Sequence, residues 1–276
     1  MPELPEVQTI VNDLQKITGD TITGFSTDWP KAIKNVSFQK FQKEIFDQKI
    51  TDIERFGKNI LIRLSSGNAL LIHLRMTGQL LVSDIKEKDH REKYSKHIHH
   101  IFFLKKNKAL AFSDIRKFGT IELLNEKELA IKDGTSIDPF DKNFTPSVLA
   151  NILNKKPKKK IKELLLDQSL ISGIGNIYAS EILFAAEILP TRLAKSLQDN
   201  EIKKLHSLIR KVLTKAIKFR GTSFSDYRDS SGKKGSFQKF LKVYGKAGEK
   251  CEGCDTIIHK MIIGQRSTFY CPRCQK

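Results

Sequence analysis

The chain opens Met-Pro-Glu-Leu-Pro-Glu, which puts an imino acid and two carboxylates within six residues. Methionine ahead of a residue as small as Pro2 is ordinarily removed, and removal leaves the proline nitrogen as a free secondary amine. An α-amino group titrates close to neutrality, so a useful fraction is uncharged and nucleophilic. Added to the anomeric carbon of a sugar, a secondary amine gives an iminium with no N–H to lose. Such a persistent cation drives elimination at the neighbouring carbons. Glu3 and Glu6 supply carboxyl groups within reach of the same sugar, and one of them can protonate a leaving group if burial favours its acid form. Proline and glutamate are also what a helix N-terminus prefers, so this segment alone reads equally well as a helix start.

The second group of reactive residues closes the chain. Cys251-x2-Cys254 and Cys271-x2-Cys274, sixteen residues apart, have the spacing of a tetrathiolate zinc site. Four thiolates fill a tetrahedral Zn²⁺ and leave no position for water, so one structural ion is expected. Between the pairs runs Gly264-Gln265-Arg266-Ser267-Thr268-Phe269-Tyr270. A basic residue such as Arg266 at the tip of a metal-stapled hairpin is well placed to meet a phosphate. All four cysteines lie in the last 26 residues, which suits a local metal site better than a disulfide framework.

The elements that must position these residues follow from periodicity. Val7, Ile10, Val11, Leu14 and Ile17 recur at helical spacing directly after the opening. From about residue 20 to 124 the texture is β-rich, with clear strands at 60–64, 69–74, 100–104, 109–113 and 120–124. Ser65–Asn68 and Lys105–Lys108 read as hairpin loops, and the whole as an antiparallel sandwich or barrel. Residues 133–146 read as a linker, and Thr145-Pro146 as a helix start. Leu205, Leu208, Ile209, Val212, Leu213, Ala216 and Ile217 form a long apolar stripe, and residues 222–236 an aperiodic mobile loop. Alternation would place His97 and His99 on one strand face, where the sequence offers no neighbouring carboxylate to complete a metal set.

Charge points to the partner. Forty-nine Lys and Arg against 31 Asp and Glu leave +18, a field that draws polyanions and gains affinity from displaced counterions. No apolar run approaches a membrane span and no signal-peptide core is present, so a cytoplasmic protein without membrane attachment is expected.

Taken together, Pro2-Glu3-Leu4-Pro5-Glu6-Val7, Gly173-Ile174-Gly175-Asn176-Ile177-Tyr178-Ala179-Ser180-Glu181 and the four-cysteine tail resemble the formamidopyrimidine-DNA glycosylase family, in one order from residue 2 to 276. The resemblance implies an α+β protein. An N-terminal antiparallel β-sandwich with flanking helices (1–135) would precede a helical domain with a helix–two-turns–helix motif (136–240) and a four-cysteine zinc finger (241–276). It implies a bacterial, nucleoid-associated, monomeric bifunctional DNA glycosylase and AP lyase of base excision repair, excising oxidised purines (8-oxoguanine, formamidopyrimidines) from double-stranded DNA and acting on abasic sites. Pro2 would be the Schiff-base nucleophile, Glu3 the general acid, Glu6 a supporting carboxylate and Lys58 the proton-transfer lysine of β-elimination. Arg266 would serve δ-elimination and grip phosphate. Met76 and Phe118 would fill the gap left by a flipped base, Arg116 would bond the orphaned cytosine, and Thr222–Phe224 would close over the base. His73, His97, Asn176 and Tyr244 would lie along the DNA backbone. Pro157 stands where the family carries a basic DNA contact, with Lys156 and Lys158 beside it.

Two alternatives remain at this level. One is an endonuclease VIII-like glycosylase for oxidised pyrimidines, against which Leu4 and the Arg116–Phe118 pair argue. The other is a non-catalytic zinc-finger nucleic-acid-binding protein, which would leave the N-terminal motif idle.

Overall fold

The computed structural model describes residues 1–84, 95–134, 136–224 and 226–276. They form two compact units. The first comprises Met1–Asp133 together with Phe219–Gln238, and the second Gly134–Lys218 with Lys239–Lys276. The boundary expected at residue 135 lies outside the described residues. The segment 219–238, grouped by sequence with the helical domain, instead packs with the N-terminal unit, because Tyr227 enters that unit's apolar core.

The first unit is a sandwich of two four-stranded sheets, all pairings antiparallel. One sheet has the order β1 (Ile22–Thr27), β6 (Ile98–Leu104), β7 (Lys108–Asp114), β5 (Gly78–Asp84). The other runs β2 (Ile50–Phe56), β3 (Asn59–Leu64), β4 (Ala69–His73), β8 (Thr120–Leu124). Both hairpins expected from sequence are present, β3–β4 and β6–β7. Their inward faces share one core: Phe25, Phe102, Leu110 and Phe112 from the first sheet, Ile53, Ile60, Ile62, Leu70, Ile72 and Ile121 from the second. Helix α1 (Leu4–Leu14) lays Val7, Ile10, Val11 and Leu14 onto it, and α2 (Phe38–Ile45) adds Phe41 and Ile45. Complete burial of side chains of this size contributes about 1.5–3 kcal/mol each, so α1 is held mainly by its apolar face. Helix α3 (Glu126–Asp133) follows β8.

The β4–β5 and β7–β8 connections each leave one sheet and enter the other. They do so at the same end, bracketed by the cross-strand pairs His73↔Thr120 and Gly78↔Asp114. Two loops distant in sequence are thereby set side by side.

In the second unit, Thr145 caps α4 (Pro146–Lys155), its hydroxyl accepting from the Val148 N–H at 3.3 Å. Helix α5 (Ile161–Leu166), two turns and α6 (Asn176–Ala186) make the helix–two-turns–helix. Gln168 stitches the turns, donating to the carbonyls of Leu166 and Ile174 and accepting from the Gly173 N–H. Helix α7 (Asp199–Lys218) buries Ile202, Leu205, Ile209, Leu213 and Ala216, the stripe read from sequence. The chain ends in the hairpin β9 (His259–Ile263), β10 (Arg266–Tyr270). No helix of the described residues is long and apolar enough to cross a membrane.

Candidate functional site

At the N-terminus Pro2 is buried, as are Glu3 and Glu6, whereas Met1 is half exposed. Glu3 is the N-cap of α1, with extended backbone (φ −103°, ψ −173°). A capping box explains Glu6: its Oε2 accepts the Glu3 N–H at 2.8 Å. The other oxygen, Oε1, accepts the Thr222 N–H at 2.7 Å. Both oxygens of this carboxylate therefore hold backbone, joining the helix start to the 219–238 segment. Tyr227 continues the seam, its hydroxyl 3.4 Å from the Glu6 carbonyl. Burial, and then the charge of Glu6, push that phenol well above its ordinary value.

Gly221 makes the seam possible. Its φ is +75°, and a Cβ there would stand 2.6 Å from Glu6 Oε1. Gly221→Ala is expected to cost about 1–3 kcal/mol through strain, and to lower melting temperature and catalytic rate together. Gly19→Ala is the control, since φ is also positive (+82°) but nothing lies within 4 Å of its Cβ position. Equal losses in the two variants would refute a specific role for the Glu6 contact.

Lys58 sits half-buried in the β2–β3 turn. Arg55 ties that turn to α1, donating to Gln8 Oε1 at 3.0 Å and to the Gly57 carbonyl at 3.2 Å. Lys58 is thus held in a tethered turn rather than on a solvated strand edge. His73 is close enough to feel it: burial first, then the charges of Arg75 and Lys58, lower the His73 pKa to about 4. Its ring is neutral at pH 7, and because Nδ1 accepts the Arg75 N–H at 2.9 Å, Nε2 carries the proton and can donate to a phosphate.

Met76 and Phe118, which the resemblance would have fill the gap of a flipped base, lie on the two crossover loops. Met76 (46 %), Phe118 (52 %) and Ile115 are exposed. Arg116 joins them: its guanidinium lies 4.6 Å over the Phe118 ring, with Nη1 3.3 Å from Met76 Sδ. The flanking glycines have a packing reason, since a Cβ on Gly78 or on Gly119 would strike the Phe112 ring at 2.8 or 2.3 Å.

His97 differs from expectation. It ends a 3₁₀ turn, Ser95–His97, and a register irregularity between Ile98 and His100 breaks the alternation assumed for the strand. His99 is buried against Asp28, Nδ1 to Oδ1 at 2.8 Å, so the carboxylate missing from the local sequence arrives from just beyond β1.

In the second unit, Arg266 is exposed where β10 leaves a two-residue turn, Gly264-Gln265, with φ of +54° and +60° as a type I′ turn requires. The next peptide is gripped from below. Asn176 Nδ2 donates to the Ser267 carbonyl at 2.9 Å, and Lys162 Nζ donates to the same carbonyl at 3.1 Å and to Thr268 Oγ1 at 2.7 Å. The resemblance points the Asn176 side chain at phosphate, but one of its donors supports the arginine strand. Lys162, fully buried, is a supporting residue that sequence reasoning misses. Glu181 is another. Its carboxylate accepts from the N–H groups of Lys242, Val243 and Tyr244 at 2.8–3.0 Å, fixing Tyr244 against Phe269. Burial pushes the Glu181 carboxyl up while those three amides pull the other way. Lys156 pairs with Asp167 at 2.8 Å. Burial raises the Asp167 pKa, but hydrogen bonds from Lys156 and Ser169 outweigh it and leave the carboxyl at about 2. Lys158 is exposed.

The four cysteine Sγ atoms lie within 4.8 Å of one another, with Cys254–Cys271 at 3.4 Å and Cys251–Cys274 at 3.9 Å. Tetrahedral Zn–S bonds of about 2.3 Å require sulfur separations of roughly 3.8 Å. The donor set fits one structural zinc. Around it the tail is sewn to the α6 end: Gln275 donates to the Ile188 carbonyl and the Lys276 N–H to the Glu187 carbonyl.

Comparison with known proteins matches this arrangement along the whole chain. Residues 1–121 match the formamidopyrimidine-DNA glycosylase N-terminal domain, 135–228 its H2TH domain, and 248–276 the zinc finger found in FPG and IleRS. Formamidopyrimidine-DNA glycosylases of Carboxydothermus hydrogenoformans and Ureaplasma parvum are 44 % and 41 % identical, each alignment covering all of both chains. Among solved structures, Lactococcus lactis Fpg with abasic-site DNA superposes with a TM-score of 0.88 at 34 % identity over 99 % of both chains. A mutant of that enzyme with Fapy-dG-containing DNA gives 0.89 over the full length of both. On these matches over its whole length, the chain belongs to the formamidopyrimidine-DNA glycosylase family.

Proposed function

We propose that this chain excises oxidised purines from duplex DNA and then cleaves the strand, with Pro2 as nucleophile. The observation that carries the reading is the buried Pro2-Glu3 start, locked in place by a Glu6 whose two oxygens are both engaged with backbone. In this reading Glu3 is the carboxyl for acid catalysis and Glu6, bonded to backbone through both oxygens, supports it. Pro2 nitrogen bonds to C1′ as the N-glycosidic bond breaks, and the departing base takes a proton from Glu3. The sugar ring opens to the iminium. Loss of a C2′ proton, relayed through Lys58, expels the 3′ phosphate in β-elimination. Loss of the C4′ proton then expels the 5′ phosphate in δ-elimination with Arg266 binding it. Water hydrolyses the iminium to release the unsaturated sugar remnant and regenerate Pro2. A one-nucleotide gap with phosphate at both ends remains.

Around this chemistry Met76 and Phe118 fill the space of the flipped nucleotide and Arg116 bonds the orphaned cytosine, because unstacking costs a few kcal/mol that the protein must offset. His73, His97, Asn176 and Tyr244 line the backbone path, and Thr222–Phe224 cover the base. Lys158 is the better phosphate contact of the basic pair near Pro157, since Lys156 is committed to Asp167. The zinc holds the finger that carries Arg266. The chain works as a monomer on the bacterial nucleoid, in keeping with its bacterial relatives and its charge.

Substrate class is tested by turnover rather than binding, because a Lactococcus lactis relative has been solved with oxidised-pyrimidine DNA. Single-turnover rates on 8-oxoguanine and thymine glycol duplexes are expected to favour the purine by at least about tenfold, a difference of about 1.4 kcal/mol in the barrier. Equal rates would refute purine selectivity, and faster turnover of thymine glycol would move the chain to the pyrimidine-directed reading. Binding without incision of either would leave only a DNA-binding protein.

A further inference from the structure

The two crossover loops are joined by one buried carboxylate. Asp114, 3 % exposed, ends β7. Its Oδ1 accepts from the Thr77 hydroxyl of the first loop and, at 3.2 Å, from the Arg116 N–H of the second. The other oxygen, Oδ2, accepts the Gly119 N–H at 2.7 Å. Thr77 Oγ1 closes the circuit by accepting from the same Arg116 N–H at 3.2 Å. Groups from both loops thus meet at one side chain.

A negative charge here opposes the rest of this surface, since Arg75, Arg116 and Lys117 lie on the same two loops and the chain as a whole carries +18. For a polyanion-binding protein, a carboxylate in this place weakens attraction. Its presence is explained by geometry. Each oxygen faces donors only, a pattern an amide cannot reproduce because its nitrogen would oppose one of them.

Lys117 shows the effect on the turn. Its φ is +54°, unusual for a side chain with a Cβ. The side chain leaves the Arg116–Phe118 side and places Nζ 4.6 Å over the ring of Trp29, the only tryptophan, with Lys31 at 5.5 Å. The turn is pinned by Asp114 within and by Trp29 outside.

We propose that Asp114 is a positioning residue that fastens the two crossover loops into one rigid piece, so that Met76, Arg116 and Phe118 enter DNA together and the base opposite the lesion is read in fixed register. This rests on the proposed roles of those three residues.

The test uses Asp114→Asn, Thr77→Val, Thr77→Ser and Arg116→Ala in the full-length zinc-loaded protein. Two quantities are read: the ratio of excision rates for 8-oxoguanine opposite C and opposite A, and Trp29 emission. Asp114→Asn and Thr77→Val are expected to lower the ratio about tenfold, the worth of roughly one hydrogen bond, and to change Trp29 emission. Thr77→Ser, which keeps the hydroxyl, restores both. A ratio that collapses in Arg116→Ala but is untouched in folded Asp114→Asn and Thr77→Val overturns the proposal and leaves the Arg116 reading standing. If Arg116→Ala changes nothing, the reading of Arg116 fails and Trp29 emission decides alone. Unchanged emission in both loop variants then refutes the coupling. Should Asp114→Asn not fold, the Thr77 pair carries the same comparison.

Discussion

A chain that keeps any residue ahead of Pro2 is expected to give no borohydride-trapped adduct with lesion DNA, and its strand incision should fall by a factor on the order of 10³ or more. The reason is electronic. An acylated proline nitrogen is an amide whose lone pair is shared with the carbonyl, and it does not attack carbon. The fold should be indifferent, because Glu6 caps α1 through the Glu3 N–H and Met1 is half exposed. Affinity for an uncleavable abasic-site analogue should therefore stay within a few fold. Pro2→Gly is a milder lesion, since it restores an amine but yields an iminium that can lose its N–H proton, so incision is reduced rather than abolished. The measurement is intact mass of the protein before reaction and of the adduct after it. Adduct formation by a chain shown to retain methionine would eliminate Pro2 as the nucleophile.

Stripping the metal should have the second largest effect. The finger's apolar cluster has only Val243, Ile258, Cys251 and Cys271 fully inside, with Phe184, Phe269, Cys254 and Cys274 partly buried against them, too little to stand without cross-links. Structural zinc supplies about 10–16 kcal/mol of binding free energy in comparable small modules. A strong chelator, or Cys254→Ser, is expected to remove exchange protection from the amides of roughly residues 249–276 and to abolish incision, while the sandwich keeps its protection. The loss of activity has a route: Arg266 leads the strand whose Ser267 and Thr268 are fixed by Asn176 and Lys162. Hydrogen exchange read alongside zinc content decides it. A zinc-free protein with a protected finger and full incision would show that the thiolates do not staple this hairpin.

Much of this is legible where the signal is local. The α1 stripe, the α7 stripe, the Thr145 cap and the two hairpins each depend on residues a few positions apart, and the cysteine spacing states its own geometry. Helices α2 and α3 are only eight residues each, too short for periodicity to reveal them. The supporting residues escape for another reason. Asp114 and Lys162 have ordinary sequence contexts, Glu181 closes a motif that does not state its contacts, and the roles of all three depend on partners 37, 61–63 and 105–106 positions away. A fully buried lysine in particular has no local signature, because lysine is abundant and elsewhere solvated in so basic a chain. His97 fails differently, since an irregular register beside it breaks the alternation on which the strand reading relies.

The return of Phe219–Gln238 to the sandwich has a consequence for how the protein is born. Residues 1–133 leave the ribosome roughly 100 residues before Tyr227 and the Gly221–Thr222 partner of Glu6 exist. At about 5–20 residues per second that is an interval on the order of 5–20 s. Through that time the nascent sandwich waits with a gap in its core where Tyr227 will sit and without the Thr222 N–H that completes the Glu6 contacts, exposed to chaperones and to aggregation. Truncation at the first apparent boundary would make the wait permanent.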